Sequence, residues 1–212
     1  MSIEENINED RFGGYSEENI MPNIKSNYIF ENIQTRGSPL FPLIALHGKD
    51  IVGLELGSWR AENIISTIIN CKNVKHLYGV DSWEPYVLEK YNRLEVVDIK
   101  AMEVAKFFAK HHVNYSGVED KITLIDKKSS DAVKDFEDNS LDFIFFDISG
   151  SYKANLNDLN IWYDKIKDGG ILCGLDWDDP AIRDSVINYR KEKNIECTLF
   201  TFGNVWAWKK NV

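Results

Sequence analysis

From Ile51 onward the chain alternates short apolar runs with stretches that are apolar on one helical face only. Ile51-Val52-Gly53-Leu54-Glu55-Leu56 is an apolar run broken by a single acid, the pattern of a strand buried on both faces. Ala61 to Asn70 sets Ile64, Ile65, Ile68 and Ile69 on one side of a helix. Leu77 to Val80 predicts a second strand, closed by Asp81, and Lys100 to His112 a helix with Met102, Val104, Phe107 and Phe108 inward. Lys121 to Ile125 reads as a third strand, Ser129 to Phe136 as a short helix, and Leu141 to Phe146 as a fourth strand ending at Asp147. Leu156, Leu159, Trp162, Tyr163 and Ile166 mark the next helix, with Gly169-Gly170 as its stop signal. Ile171 to Leu175 and Pro180 to Lys193 supply a fifth strand and a last helix.

This alternation predicts a parallel sheet with helices on both faces. The end departs from it: Glu196 to Phe202 and Val205 to Lys209 are joined only by Gly203-Asn204, and strands joined so directly run antiparallel. The expected fold is therefore α/β, a doubly wound, mostly parallel seven-stranded sheet with an antiparallel C-terminal hairpin strand. Ahead of it, Phe41 to His47 predicts a short helix feeding the first strand, and residues 21–39 a polar connector ending at Arg36-Gly37-Ser38-Pro39. Residues 1–20 hold six acids and one base, the composition of a solvated tail or of a lid or dimer arm. The domain expectation is an acidic extension over 1–39 and one domain over 40–212.

With 212 residues, 43% hydrophobic and 12% aromatic, the chain is long and apolar enough to bury a sizeable core. A net charge of −9 lacks the basic footprint of a nucleic-acid binder. No apolar run approaches the roughly 20 residues of a membrane span, and the acidic start Met1-Ser2-Ile3-Glu4-Glu5 is no secretory signal. Cys71, Cys173 and Cys197, odd in number and without a CxxC, read as reduced thiols in a cytoplasmic protein.

Ligands of such sheets lie beyond the carboxyl ends of the strands. There the first turn reads Glu55-Leu56-Gly57-Ser58-Trp59-Arg60-Ala61, with one glycine where a dinucleotide pyrophosphate demands several. A single glycine after an acid suits a ligand without phosphates. Asp81 ends the second strand, where a carboxylate can accept both ribose hydroxyls or cap the next turn. Taken with the reversed last strand, these features favour S-adenosylmethionine over a nicotinamide dinucleotide. No Ser/His/Asp order or zinc-ligand spacing is present.

Glu55-Leu56-Gly57-Ser58-Trp59, Tyr78-Gly79-Val80-Asp81-Ser82-Trp83 and Leu141 to Asp147 resemble motifs of class I, Rossmann-like S-adenosylmethionine-dependent methyltransferases. More narrowly, Ser151-Tyr152, Asp158, Trp162, Lys167 to Leu172, Gly174-Leu175-Asp176 and Val205 to Lys210 resemble the macrocin-type O-methyltransferase and cephalosporin-cluster methyltransferase-like branch. The resemblance implies that Glu55, Gly57 and Ser58 line the methionine and ribose end and that Asp81 holds the ribose hydroxyls. It places Trp59, Ser82 and Trp83 around the cofactor, with Lys128 and Ser129 near the adenine. For Trp59 and Trp83 plain packing is the competing reading.

The departures from the family pattern concern the chemistry. Gly150 stands where metal-using relatives commonly carry His before Ser-Tyr, and Leu175 replaces the His of a Gly-His-Asp. Asp147 and Asp176 remain as the candidate catalytic and Mg²⁺-binding carboxylates, with Asp178 and Asp179 as supplements or helix caps. Mg²⁺-assisted transfer, metal-free transfer and loss of catalysis all stay open. His111 and His112 read as answering a helix dipole, His47 as able to face an acceptor pocket, and His76 as a surface residue. The expected activity is O-methylation of a small-molecule or sugar hydroxyl. The rivals are a catalytically degenerate cofactor-binding or partner-binding module and an NAD-dependent oxidoreductase. The resemblance leaves a homodimer open.

Overall fold

The computed structural model describes residues 40–90, 93–148 and 151–211, with only the backbone at 88–90 and 93–95. The acidic extension, its boundary at 39 and Gly150 lie outside the described residues. Helix α1 (Phe41–Ala45) leads into β1 (Ile51–Leu56), α2 (Glu62–Asn70) and β2 (Val74–Asp81). A hairpin, β3 (Tyr86–Lys90) and β4 (Arg93–Val97), precedes α3 (Ile99–Asn114), β5 (Ile122–Asp126) and α4 (Ser129–Ala132). Then come β6 (Leu141–Phe146), α5 (Tyr152–Trp162), β7 (Ile166–Gly174), α6 (Pro180–Glu192), β8 (Phe200–Phe202) and β9 (Val205–Lys209).

Seven strands form one sheet in the order β5-β2-β1-β6-β7-β9-β8, and β3 and β4 pair only with each other. The five strands from β5 to β7 are parallel, and β9 runs antiparallel to both of its neighbours, as the direct β8–β9 connection requires. One core cluster packs α1, α2 and α3 on the sheet through Ile44, Ile64, Ile68, Met102, Ala105 and Ala109. The second packs α5 and α6 on the other face through Leu159, Trp162, Val186 and Tyr189. Every fully buried Leu or Ile side chain in these layers contributes about 1.5–3 kcal/mol. Between α5 and α6 a buried hydrogen bond, Asn155 Nδ2 donating to Ser185 Oγ at 2.6 Å, fixes the register.

Several expectations are corrected. The stretch from Glu84 to Asp98, to which the sequence pattern assigns no element, holds the β3–β4 hairpin. The buried face of α3 uses Ala105 and Ala109 beside Met102 and Phe108, and Phe107 is 46% exposed. Gly169-Gly170 does not end α5: a 3₁₀ turn, Tyr163–Lys165, follows the helix and Ile166 already belongs to β7. The two glycines instead form a bulge, in which pairing jumps from Leu141–Ile166 to Phe143–Ile171. Gly169 N–H donates to Lys210 O there, and Lys210 N–H to Gly170 O. Lys210 takes the capping role, its buried Nζ donating to Ile166 O at 2.7 Å and Tyr163 O at 3.2 Å.

Candidate active site

The strand order reverses direction between β1 and β6, and a cleft of about 680 Å³ opens at their carboxyl ends. Glu55, Gly57, Ser58, Trp59, Asp81, Ser82, Lys128, Ser129, Asp147 and Asp176 all line it. Trp83 alone of the expected cofactor-binding residues does not. Glu55 is 3% exposed at the end of β1, between Gly79 of β2 and Phe145 of β6. Gly57 carries φ +88°, and a Cβ there would run into the carbonyl oxygen of Asp147. The turn therefore needs glycine both for its backbone conformation and for the close approach of the β6 end.

Two more residues of this turn, Trp59 and Ala61, are left-handed at φ +45° and +60°. Asp81 holds it from β2: Oδ2 accepts the Trp59 N–H at 2.9 Å and Oδ1 accepts the Trp83 N–H at 2.8 Å. A carboxylate has about four lone-pair sites, so the backbone amides that Asp81 accepts do not saturate it and it can still accept from a ligand hydroxyl. Burial pushes the Asp81 carboxyl up from its ordinary value, and the Trp83, Trp59 and Ser82 amides pull it back. Trp83 is a strut behind the cleft rather than part of its wall: it is 6% exposed, and its Nε1–H donates to Trp59 O at 2.9 Å.

Across the cleft, Lys128 Nζ pairs with Glu84 Oε2 at 2.8 Å, joining the loops after β5 and β2. Ser129 opens α4, donates Oγ–H to Asp158 Oδ1 at 2.7 Å and accepts Trp162 Nε1–H at 2.7 Å. Burial raises the Asp158 carboxyl to about 6, against the opposing Ser129 hydrogen bond.

Asp147 follows β6, its N–H donating to Leu56 O at 2.9 Å, so the ends of β1 and β6 are tied together. Asp176 sits beyond β7 with φ +60°, and Asn204 Nδ2 donates to its Oδ1 at 3.3 Å. Asp179 caps α6 through the Ala181 N–H, and Asp178 does not line the cleft. Among the described residues no three His, Cys, Asp or Glu side chains gather as a metal-binding group. Asp147 and Asp176 alone do not assemble the donor set of a hard divalent cation such as Mg²⁺.

The histidines lie elsewhere. His47 is next to Asp142, Lys167 and Lys209 at the amino ends of the strands, opposite the cleft, and burial lowers its pKa. His112 is 2% exposed, so burial rather than a helix-end dipole governs it, and its pKa is lowered. His76 matches its expected surface place, bonded to Thr123 Oγ1 at 2.9 Å.

Residues not foreseen also line the cleft. Arg60 and Glu62 follow the glycine turn directly, which was the available signal. Tyr86 and Pro85 arrive with the hairpin, and Ile148 and Leu175 flank the two aspartates. Among the described residues no helix is long and apolar enough to cross a membrane.

The methyltransferase domain family matches residues 54–177, more than half of the chain, from the middle of β1 through the end of β7. The chain belongs to that family, and its fold is that of a class I S-adenosylmethionine-dependent methyltransferase. No curated protein matches it by sequence. The O-methyltransferase NovP superposes with a TM-score of 0.59 at 17% identity, over 86% of this chain and 79% of that one. An O-methyltransferase from Bacillus cereus, solved in complex with SAH, gives 0.58 at 13% identity over 95% and 94%. Precorrin-6y C5,15-methyltransferase from Geobacter metallireducens GS-15 gives 0.58 at 10% over 84% and 91%. At these identities the likeness is one of fold.

Proposed function

We propose that this methyltransferase transfers the methyl group of S-adenosylmethionine to a hydroxyl of a small molecule or sugar. The observation that carries the reading is the convergence of Glu55, Gly57, Asp81 and Asp147 on one cleft at the switch point. Glu55, Gly57 and Ser58 would line the methionine and ribose end, and the remaining accepting capacity of Asp81 would hold the ribose through a hydroxyl. Ser82, Lys128 and Ser129 would stand around the adenine, with Trp59 along the wall of the turn.

The sulfonium supplies an already activated methyl group, so the chain's work is alignment, exclusion of water and removal of one proton. Asp147 and Asp176 flank the cleft at the ends of β6 and β7 and are the carboxylates assigned to accept that proton. The resemblance to macrocin-type enzymes and the two O-methyltransferase neighbours support oxygen as the acceptor atom. The carbon methyltransferase of the same fold shows why fold alone does not fix it.

The test is transfer of labelled methyl from S-adenosylmethionine to a panel of hydroxylated acceptors and their deoxy counterparts, run with Mg²⁺ and with chelator. Label on the hydroxyl compounds alone, lost by at least about a hundredfold in Asp147→Asn or Asp176→Asn, is the expected result. Label on nitrogen or carbon would refute the acceptor assignment. Full turnover in both variants would refute the carboxylate assignment, and loss of turnover in chelator would restore a metal to the mechanism.

A further inference from the structure

The turn after β1 holds three left-handed residues within five, at Gly57, Trp59 and Ala61, and two of them are not glycine. Such a backbone persists only where its surroundings hold it. Asp81 pins the Trp59 amide from one side. On the other side two successive carbonyls are gripped by side chains from separate elements. Trp83 Nε1–H donates to Trp59 O at 2.9 Å, and His112 of α3 bonds Arg60 O at 2.9 Å. A carbonyl only accepts, so His112 carries its proton on Nδ1. Among the described residues its buried Nε2 has no hydrogen-bond partner, so the bond to Arg60 is the one hydrogen bond of that ring there. An apolar ring would fill the same space without leaving an orphaned nitrogen.

We propose that Trp83 and His112, neither of which lines the cleft, are positioning residues for ligand binding. They clamp the carbonyls of Trp59 and Arg60 and so hold the turn in the shape that forms the cleft wall. The inference rests on the reading of this cleft as the S-adenosylmethionine site. Released, the turn would relax toward right-handed backbone and swing Trp59 and Arg60, both of them wall residues, out of place.

The test uses full-length Trp83→Phe, His112→Phe and His112→Asn, with calorimetric titration of S-adenosylhomocysteine and thermal unfolding of each. The Phe variants keep a ring and lose the N–H; the Asn variant keeps an N–H near the Nδ1 position and loses packing. Each Phe variant is expected to bind about five- to tenfold more weakly, the effect of one lost hydrogen bond. His112→Asn should bind within about twofold of wild type while unfolding at a lower temperature than His112→Phe. A merely structural role predicts the opposite ranking, with affinity following the unfolding temperature, and that result overturns the proposal. So do Phe variants that bind as tightly as wild type. A wild-type protein that binds no S-adenosylhomocysteine overturns the cleft reading itself, a distinguishable failure.

Discussion

Asp158 is a buried carboxylate that accepts the Ser129 hydroxyl, and burial raises its pKa to about 6 from 3.8. Between those values the folded chain binds more protons than the unfolded one, so this group's contribution to stability falls as pH rises from about 4 to 6 and is constant above. Asp158→Asn keeps an acceptor for Ser129 Oγ–H and removes the ionisation. It should stabilise the protein at pH 7.5 by about 1–3 kcal/mol, with no gain at pH 3.5, in denaturant titrations at the two pH values. Lys210 gives the reverse case. Its Nζ satisfies the carbonyls of Tyr163 in the 3₁₀ turn and Ile166 at the start of β7, so Lys210→Met should cost about 1–3 kcal/mol and lower the thermal midpoint by several degrees. At this scale residue chemistry was legible where type is dictated: Gly57 by its φ and close contact, Asp81 by its place at a strand end. Trp83 was not, because its own φ of +45° turns the ring behind the wall, and nothing in the sequence announces that conformation.

Elements were legible wherever burial imposes a period. The apolar runs of β1 and β6 and the isoleucine face of α2 could be read directly, because parallel strands are covered on both faces. The α3 face was misassigned because size was taken for burial. Close packing on the sheet selects Ala105 and Ala109, and leaves Phe107 outside to stack on His111. The hairpin was obscured by the charges between its β-branched residues, with Val87 and Val96 both exposed although paired. Gly-Gly is an ambiguous signal that serves a helix stop and a strand bulge alike; the pairing with Lys210 decides for the bulge. The turn after β1 is the element on which the site depends. Gly57→Ala would place a methyl group against the Asp147 carbonyl on a left-handed backbone. That variant should lose about 2–4 kcal/mol of stability and bind S-adenosylhomocysteine at least tenfold more weakly by calorimetry.

At the scale of the molecule, the sheet order places the switch point between β1 and β6 and so locates the cleft before any side chain is considered. The parallel sheet and its reversed last strand followed from the alternation of strands and helices and from the two-residue link before β9, whereas the strand order itself comes from the structure. The Asp176 end of the cleft was less legible, since the contact of Asp176 with Asn204 joins segments 28 residues apart. The central claim is that this cleft binds S-adenosylmethionine through Asp81. Calorimetric titration of the wild-type protein and of Asp81→Ala, each with Mg²⁺ and with chelator, tests it most directly. The account predicts saturable binding at one site per chain in both buffers, weakened at least tenfold in the variant, whose circular dichroism spectrum should remain that of the folded protein. Absence of binding by the folded wild-type protein, or equal affinity in a folded Asp81→Ala variant, would contradict it.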